Sequence, residues 1–113
     1  MSSQTEYIDR FIRFYANETI QSRGKQLYKN DVIKSVEYDE KFDTYTFRVK
    51  GTNTYTTKIS SLKNHNLSTS CSCPYNYGVI CKHTVAVLLF LKDSNLEKIP
   101  KTKPKKNKTQ KNK

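Results

Sequence analysis

The sequence has no tryptophan, one methionine, three glycines, three prolines and only three cysteines in 113 residues. Each shortage excludes something. An odd cysteine count suits a secreted disulfide framework badly. The longest uninterrupted apolar run, Val85 to Leu91, has seven residues, far short of a membrane span. No Gly-x4-Gly-Lys-Ser/Thr segment occurs, so a phosphate-cradling ATPase loop is not expected. Residues 1–30 are broken by Glu6, Asp9, Arg10, Arg13, Glu18 and Arg23, which does not read as a secretory signal. The expected setting is a reducing, cytoplasmic one without a membrane.

Acid is also scarce, and unevenly so. The formal net charge is +11. Residues 101–113 hold seven lysines and no carboxylate, leaving 14 basic and 10 acidic groups in residues 1–100. A mildly basic body with a strongly basic end favours a polyanionic partner, with nucleic acid the first candidate. A solubilising tail without a partner has the same composition.

Tyr7, Ile8, Phe11, Ile12 and Tyr15 recur at helical spacing, which predicts an amphipathic helix over residues 5–16 with Thr5 as N-cap. A second helix over 18–29 would bury Ile20, Leu27 and Tyr28, although Gly24 weakens it. From Val32 the period changes from helical to alternating. Strands are expected at 32–39, 44–50 and 54–60, with Tyr45, Phe47 and Val49 on one face of the second and Tyr55, Thr57 and Ile59 on one face of the third. Gly51-Thr52-Asn53 supplies a hairpin turn, and residues 39–43 a looser one. The run after His83 fits a buried strand or a buried helix; its leucines and Lys92 favour a helix over 82–92. Beyond Pro100 nothing large and apolar offsets the entropy of ordering the chain, so disorder is expected there. The expected fold class is α+β: N-terminal helices, a small three-stranded antiparallel sheet, a zinc loop and a C-terminal buried helix. The corresponding divisions are an N-terminal helix at 1–17, a zinc-binding domain at 18–95 and a lysine-rich tail or linker at 96–113.

The chemistry lies in Cys71-Ser72-Cys73, seven intervening residues, then Cys81-Lys82-His83. All three cysteines and one of the two histidines fall within these 13 residues. Zinc takes four such ligands in a tetrahedron. A sharp backbone turn is expected between Cys71 and Cys73, with Pro74 holding Cys73 extended and Asn76 and Gly78 returning the chain to the metal. A strained Cys71–Cys73 disulfide is the rival, but the usual redox motif has two residues between cysteines and a βαβ setting. Four protein ligands close the coordination sphere, which argues for one structural Zn²⁺, for no small-molecule substrate and against an enzyme.

These residues, read as CSCPYNYGVICKHTVAVLLFL, resemble the SWIM zinc finger. The opening C-x-C-P-Y and the C-K-H followed by an apolar helix carry the likeness. Arg23 to Tyr28 resembles the segment before the finger in bacterial forms attached to SNF2-type helicases, so the likeness spans roughly residues 20–92. It implies that Cys71, Cys73, Cys81 and His83 are zinc ligands and that the module binds DNA or a protein partner. No ATPase segment accompanies it here, so the chain reads as free-standing or as a fragment.

Two partners are therefore in view: nucleic acid, DNA in the first place, or a helicase-like ATPase to which the chain would be an accessory. Candidate nucleic-acid contacts are Tyr75 and Tyr77, Lys82 between two ligands, and Lys101, Lys103, Lys105 and Lys106 in the tail. Tyr75 and Tyr77 could equally pack over the metal, and Lys82 could offset the net negative charge of a three-thiolate site. His65 is expected to be solvated.

Overall fold

The computed structural model of the chain describes residues 3–51, 53–74, 80–94 and 99. Helices α1 (Ser3–Tyr15) and α2 (Glu18–Lys29) come first. Strands β1 (Ile33–Asp39), β2 (Thr44–Lys50), β3 (Thr54–Ser60) and β4 (Ser68–Cys71) follow, and then helix α3 (Lys82–Asp93). The α+β class holds, with one correction: the sheet has four strands, in the order β1-β2-β3-β4, each antiparallel to the next. The missed strand is Ser-Thr-Ser-Cys, half-exposed along its length. Small polar residues give no apolar alternation, so only its pairing with β3 reveals it.

The helices differ from expectation in detail. α1 is already helical at Ser3, so Thr5 lies within it and is not its N-cap. Asn17 caps α2, its side chain accepting from the Ile20 N–H at 2.8 Å. Within α2, Ile20 is buried as expected, but Leu27 and Tyr28 are only half-buried and Gly24 takes the inner place. The Tyr28 hydroxyl instead reaches the surface, where it donates to Asp93 at 3.0 Å and joins the far ends of α2 and α3.

α3 lies at the centre. Val85, Ala86, Val87, Leu88 and Leu91 are all buried. A helix that is apolar all round must be covered all round, and α3 meets α1 and α2 as well as β3 and β4. Phe90 sets its ring edge-on to Phe47 of β2, centroids 5.8 Å apart. Ile8 and Ile12 of α1, Ile20 of α2, Phe47, Val49 and Ile59 of the sheet, Leu62 and Ile99 complete the same core. Lys92 and Arg13 both pair with Asp9 of α1, and together they outweigh its burial and hold the carboxyl below its usual range.

The other face of the sheet carries no helix among the described residues. The register sets Thr46 opposite Lys58, Arg48 opposite Thr56, Lys50 opposite Thr54 and Lys58 opposite Ser70 on that outer side. No described helix is long and apolar enough to cross a membrane.

Candidate metal centre

The four predicted donors meet where the end of β4 faces the start of α3. The thiol sulfurs of Cys71, Cys73 and Cys81 and a ring nitrogen of His83 all lie within 4.8 Å of one another. His83 Nδ1 is 3.9 Å from Cys71 Sγ and 3.8 Å from Cys81 Sγ. Zinc with bonds of about 2.3 Å to sulfur and about 2.0 Å to nitrogen has donors separated by about 3.5–3.8 Å. The two His83–sulfur separations are close to that size, and three soft sulfurs with one imidazole are the donor chemistry zinc takes. The group can hold one zinc ion. None of the three cysteines is in a disulfide.

The Cys-x-Cys pair straddles the end of β4, which stops at Cys71, and the backbone bends at Cys73. Cys71 is the last residue of β4 and sits opposite the inward-facing Thr57. Ser72 stays against β3: its N–H donates to Thr56 O at 3.0 Å and its Oγ accepts from the Thr56 N–H at 2.9 Å. Cys71 and Cys73 both reach the donor cluster, and Ser72 fastens the chain between them.

Cys81 and His83 come from the first turn of α3. Cys81 is the N-cap residue, with extended φ/ψ of −100° and 175°, and its side chain makes no capping hydrogen bond. A position that usually holds Ser, Thr, Asp or Asn thus holds a sulfur that faces the other donors. Its backbone carbonyl still accepts from the Val85 N–H at 3.1 Å, so the helix starts normally.

Three side chains absent from the sequence-based site support the donors. Thr57, fully buried, donates its hydroxyl to Cys71 Sγ at 3.2 Å. Thr84 Oγ1 is 3.5 Å from Cys81 Sγ. Tyr55 lies on the His83 ring at a centroid distance of 4.8 Å. The only sequence signal for Thr57 is its polar place in an inward-facing column between Tyr55 and Ile59. Gly51 closes the site from the hairpin between β2 and β3: a Cβ there would stand 3.0 Å from the Tyr55 ring and 3.5 Å from His83 Nε2. A side chain at that turn would press on the Tyr55 ring, and the backbone there is not left-handed.

The Cys71 thiol hydrogen-bonds to Cys81; that bond, with His83 and Thr84 behind it, outweighs burial and holds Cys81 far below the usual thiol range. The same bond and the same burial push Cys71 up.

Lys82, the first residue of α3, is half-buried and lines a cavity of about 370 Å³ beside the donors, together with Arg23, Tyr55 and Pro74. Tyr75, Tyr77, Lys101, Lys103, Lys105 and Lys106 lie outside the described residues. His65 is exposed but not merely solvated: its ring stacks on Tyr7 with centroids 4.6 Å apart and planes 8° from parallel.

The family model of the SWIM zinc finger matches residues 47–92. The match runs from Phe47 in β2 to Lys92 in α3 and takes in β3, β4 and all four donors. It begins later than the resemblance read from the sequence, leaving α1, α2 and β1 outside. No curated protein and no solved structure matches the chain.

Proposed function

For a chain whose residues 47–92 match the SWIM zinc finger, we propose a binding module in which Cys71, Cys73, Cys81 and His83 hold one structural Zn²⁺ and the surface binds nucleic acid, DNA in the first place. The metal would fasten the end of the sheet to the start of α3. With four protein donors it keeps no position for water or substrate, so its contribution is to folding rather than to catalysis.

One observation supports nucleic acid above other partners. On the outer face of the sheet, which no described helix covers, β2, β3 and β4 set three cations, Arg48, Lys50 and Lys58, and no carboxylate, while β1 at the edge adds Glu37 and Asp39. Thr46, Thr54, Thr56 and Ser70 surround them with hydroxyls. Cations among hydroxyl donors meet phosphate oxygens without reading base edges. The seven lysines of residues 101–113 add charge of the same sign.

The test is a salt titration of duplex DNA binding by the full chain and by Arg48→Gln/Lys50→Gln/Lys58→Gln. Affinity should fall steeply with salt. The triple variant should flatten the log–log slope by roughly 0.9 for each phosphate it no longer neutralises. Wild-type protein that binds no DNA, or binds it without regard to salt, would overturn the proposal. Salt-resistant binding to a helicase-like ATPase would then favour the accessory role.

A further inference from the structure

Away from the metal and from the cationic sheet face, α1 carries a run of aromatic rings. Tyr7, Phe11 and Tyr15 follow one another at four-residue spacing, so they share one face of the helix. His65 stacks on Tyr7 at 4.6 Å, Tyr7 approaches Phe11 at 6.4 Å, Phe11 approaches Tyr15 at 4.6 Å, and Phe14 meets Tyr15 edge-on at 4.7 Å. The first ring is fixed, since the Leu67 N–H donates to the Tyr7 hydroxyl at 2.9 Å and ties the loop after β3 to α1. The last rings are open: Phe14 is 79 % and Tyr15 39 % exposed.

Between this helix face and the loop at Asn66 and Leu67 runs a groove of about 880 Å³. The charged side chains that line it are Arg10 and Arg13, and no carboxylate does. Arg13 is braced by Asp9 one helical turn away. Single exposed aromatics need no explanation, but contiguous apolar surface rimmed by polar groups marks an interaction site. Here the rim is guanidinium. Flat rings beside cations complement a ligand that is itself flat and anionic at short intervals, and the chain's net charge of +11 draws such a ligand in.

We infer that the groove along α1 takes unpaired bases of single-stranded nucleic acid, Phe14 and Tyr15 offering ring faces while Arg10 and Arg13 meet the flanking phosphates. The inference rests on the reading of the chain as a nucleic-acid binder and adds the strand class. A duplex keeps its base faces stacked and can use only the cationic sheet face and tail. A single strand exposes them, and stacking on aromatic side chains is tolerant of sequence.

The experiment compares a labelled single strand with a duplex of equal phosphate number, using the full chain and its variants Phe14→Ala, Phe14→Trp and Arg10→Ala. Phe14 and Arg10 are exposed, so these substitutions leave the core intact, and a melting curve checks each protein. Phe14→Ala should weaken single-strand binding about tenfold, leave duplex binding within about twofold, and be rescued by the larger ring of Phe14→Trp. Arg10→Ala should weaken single-strand binding and lower its salt dependence by about one ion. If wild type binds both strands and Phe14→Ala moves neither, the groove assignment is wrong while charge-driven binding stands. If wild type binds neither, both readings fall. A wild-type dimer that Phe14→Ala converts to monomer would overturn the assignment and give the groove to a second copy of this chain.

Discussion

Thr57 sits in the inward column of β3 with no exposed surface, and its hydroxyl is spent on a sulfur. A buried hydroxyl without a partner costs about 1–3 kcal/mol; here the thiolate of Cys71 would satisfy it and be oriented by it. Replacing the hydroxyl with a methyl in Thr57→Val keeps the shape and removes the donor. Zinc affinity should fall about tenfold or more, as for other groups that orient metal ligands, while the circular dichroism of the zinc-loaded protein is unchanged. Competition with a colorimetric chelator checks this, and unaltered affinity would mean that Thr57 serves the core alone. Cys81→Ser is harsher. It removes a donor and the thiolate nearest the helix start, and structural zinc contributes on the order of 10 kcal/mol, comparable with the whole stability of a small domain, about 5–15 kcal/mol. The variant should be largely unfolded or aggregated. The four donors were legible in the sequence because soft ligands cluster so tightly within it. Thr57 was not, because Thr54, Thr56 and Thr57 look alike until the register separates the inner face from the outer.

At the scale of elements, α2 crosses α3 where Gly24 lies against Val85. A Cβ at position 24 would stand 2.3 Å from Val85 Cγ1, closer than atoms can approach, and 3.2 Å from the Lys82 carbonyl. Alanine is favoured over glycine within a helix by about 1 kcal/mol, yet forcing a methyl into a filled space costs about 1–3 kcal/mol. Gly24→Ala should therefore destabilise by roughly 1–2 kcal/mol, and Val85→Ala should offset part of the loss in a double-mutant cycle. Denaturant midpoints decide it; a more stable Gly24→Ala would show that α3 shifts freely. The same glycine that weakens the sequence signal for α2 is what lets it lie close to the metal-bearing end of α3. The β1–β2 hairpin has its own dependence. Tyr38 and Tyr45 face each other across the strands, rings 4.4 Å apart, and the Tyr38 hydroxyl donates to Asp43 at 2.8 Å. Asp43 also accepts from the Lys63 N–H at 3.1 Å, tying the turn to the loop after β3. Burial first, then that carboxylate, push Tyr38 up to about 12, and burial with the neighbouring Tyr38 and Asp43 does the same for Tyr45. Because the folded values are raised, the unfolded chain ionises first, near pH 10.0. Their contribution is whole below that pH and is lost as pH climbs toward about 12. Alkaline unfolding followed by circular dichroism should begin above pH 10.0, and Tyr38→Phe/Tyr45→Phe should flatten its pH dependence. Apolar periodicity revealed the three long strands and the two amphipathic helices. It could not reveal β4, whose place depends on hydrogen bonds to β3 and on the metal donors it delivers.

For the whole molecule, the neighbour-to-neighbour strand order follows the order in sequence, and its first three strands were readable from their turns. The packing of α1 and α2 over the other side of α3 was not. A run of apolar residues says that a helix is covered, not by what. Among the described residues, a core of 16 buried apolar residues reaches from Ile8 to Ile99. The metal thus joins two layers that already share apolar contacts, rather than substituting for a core. Zinc binds the folded arrangement and not the open chain, so stability should rise with free zinc as RT ln(1 + [Zn]/Kd), about 4 kcal/mol at a thousandfold excess over Kd. Thermal melts at buffered zinc should give a midpoint that climbs steadily with free metal. Excess chelator should broaden or abolish the transition, and zinc, but not magnesium, should restore it, since thiolates and imidazole suit the softer ion. Elemental analysis of the purified chain should return one zinc per chain. A chain that melts sharply at the same temperature with no metal bound would show that the apolar contacts suffice, leaving the cluster of Cys71, Cys73, Cys81 and His83 without a structural task.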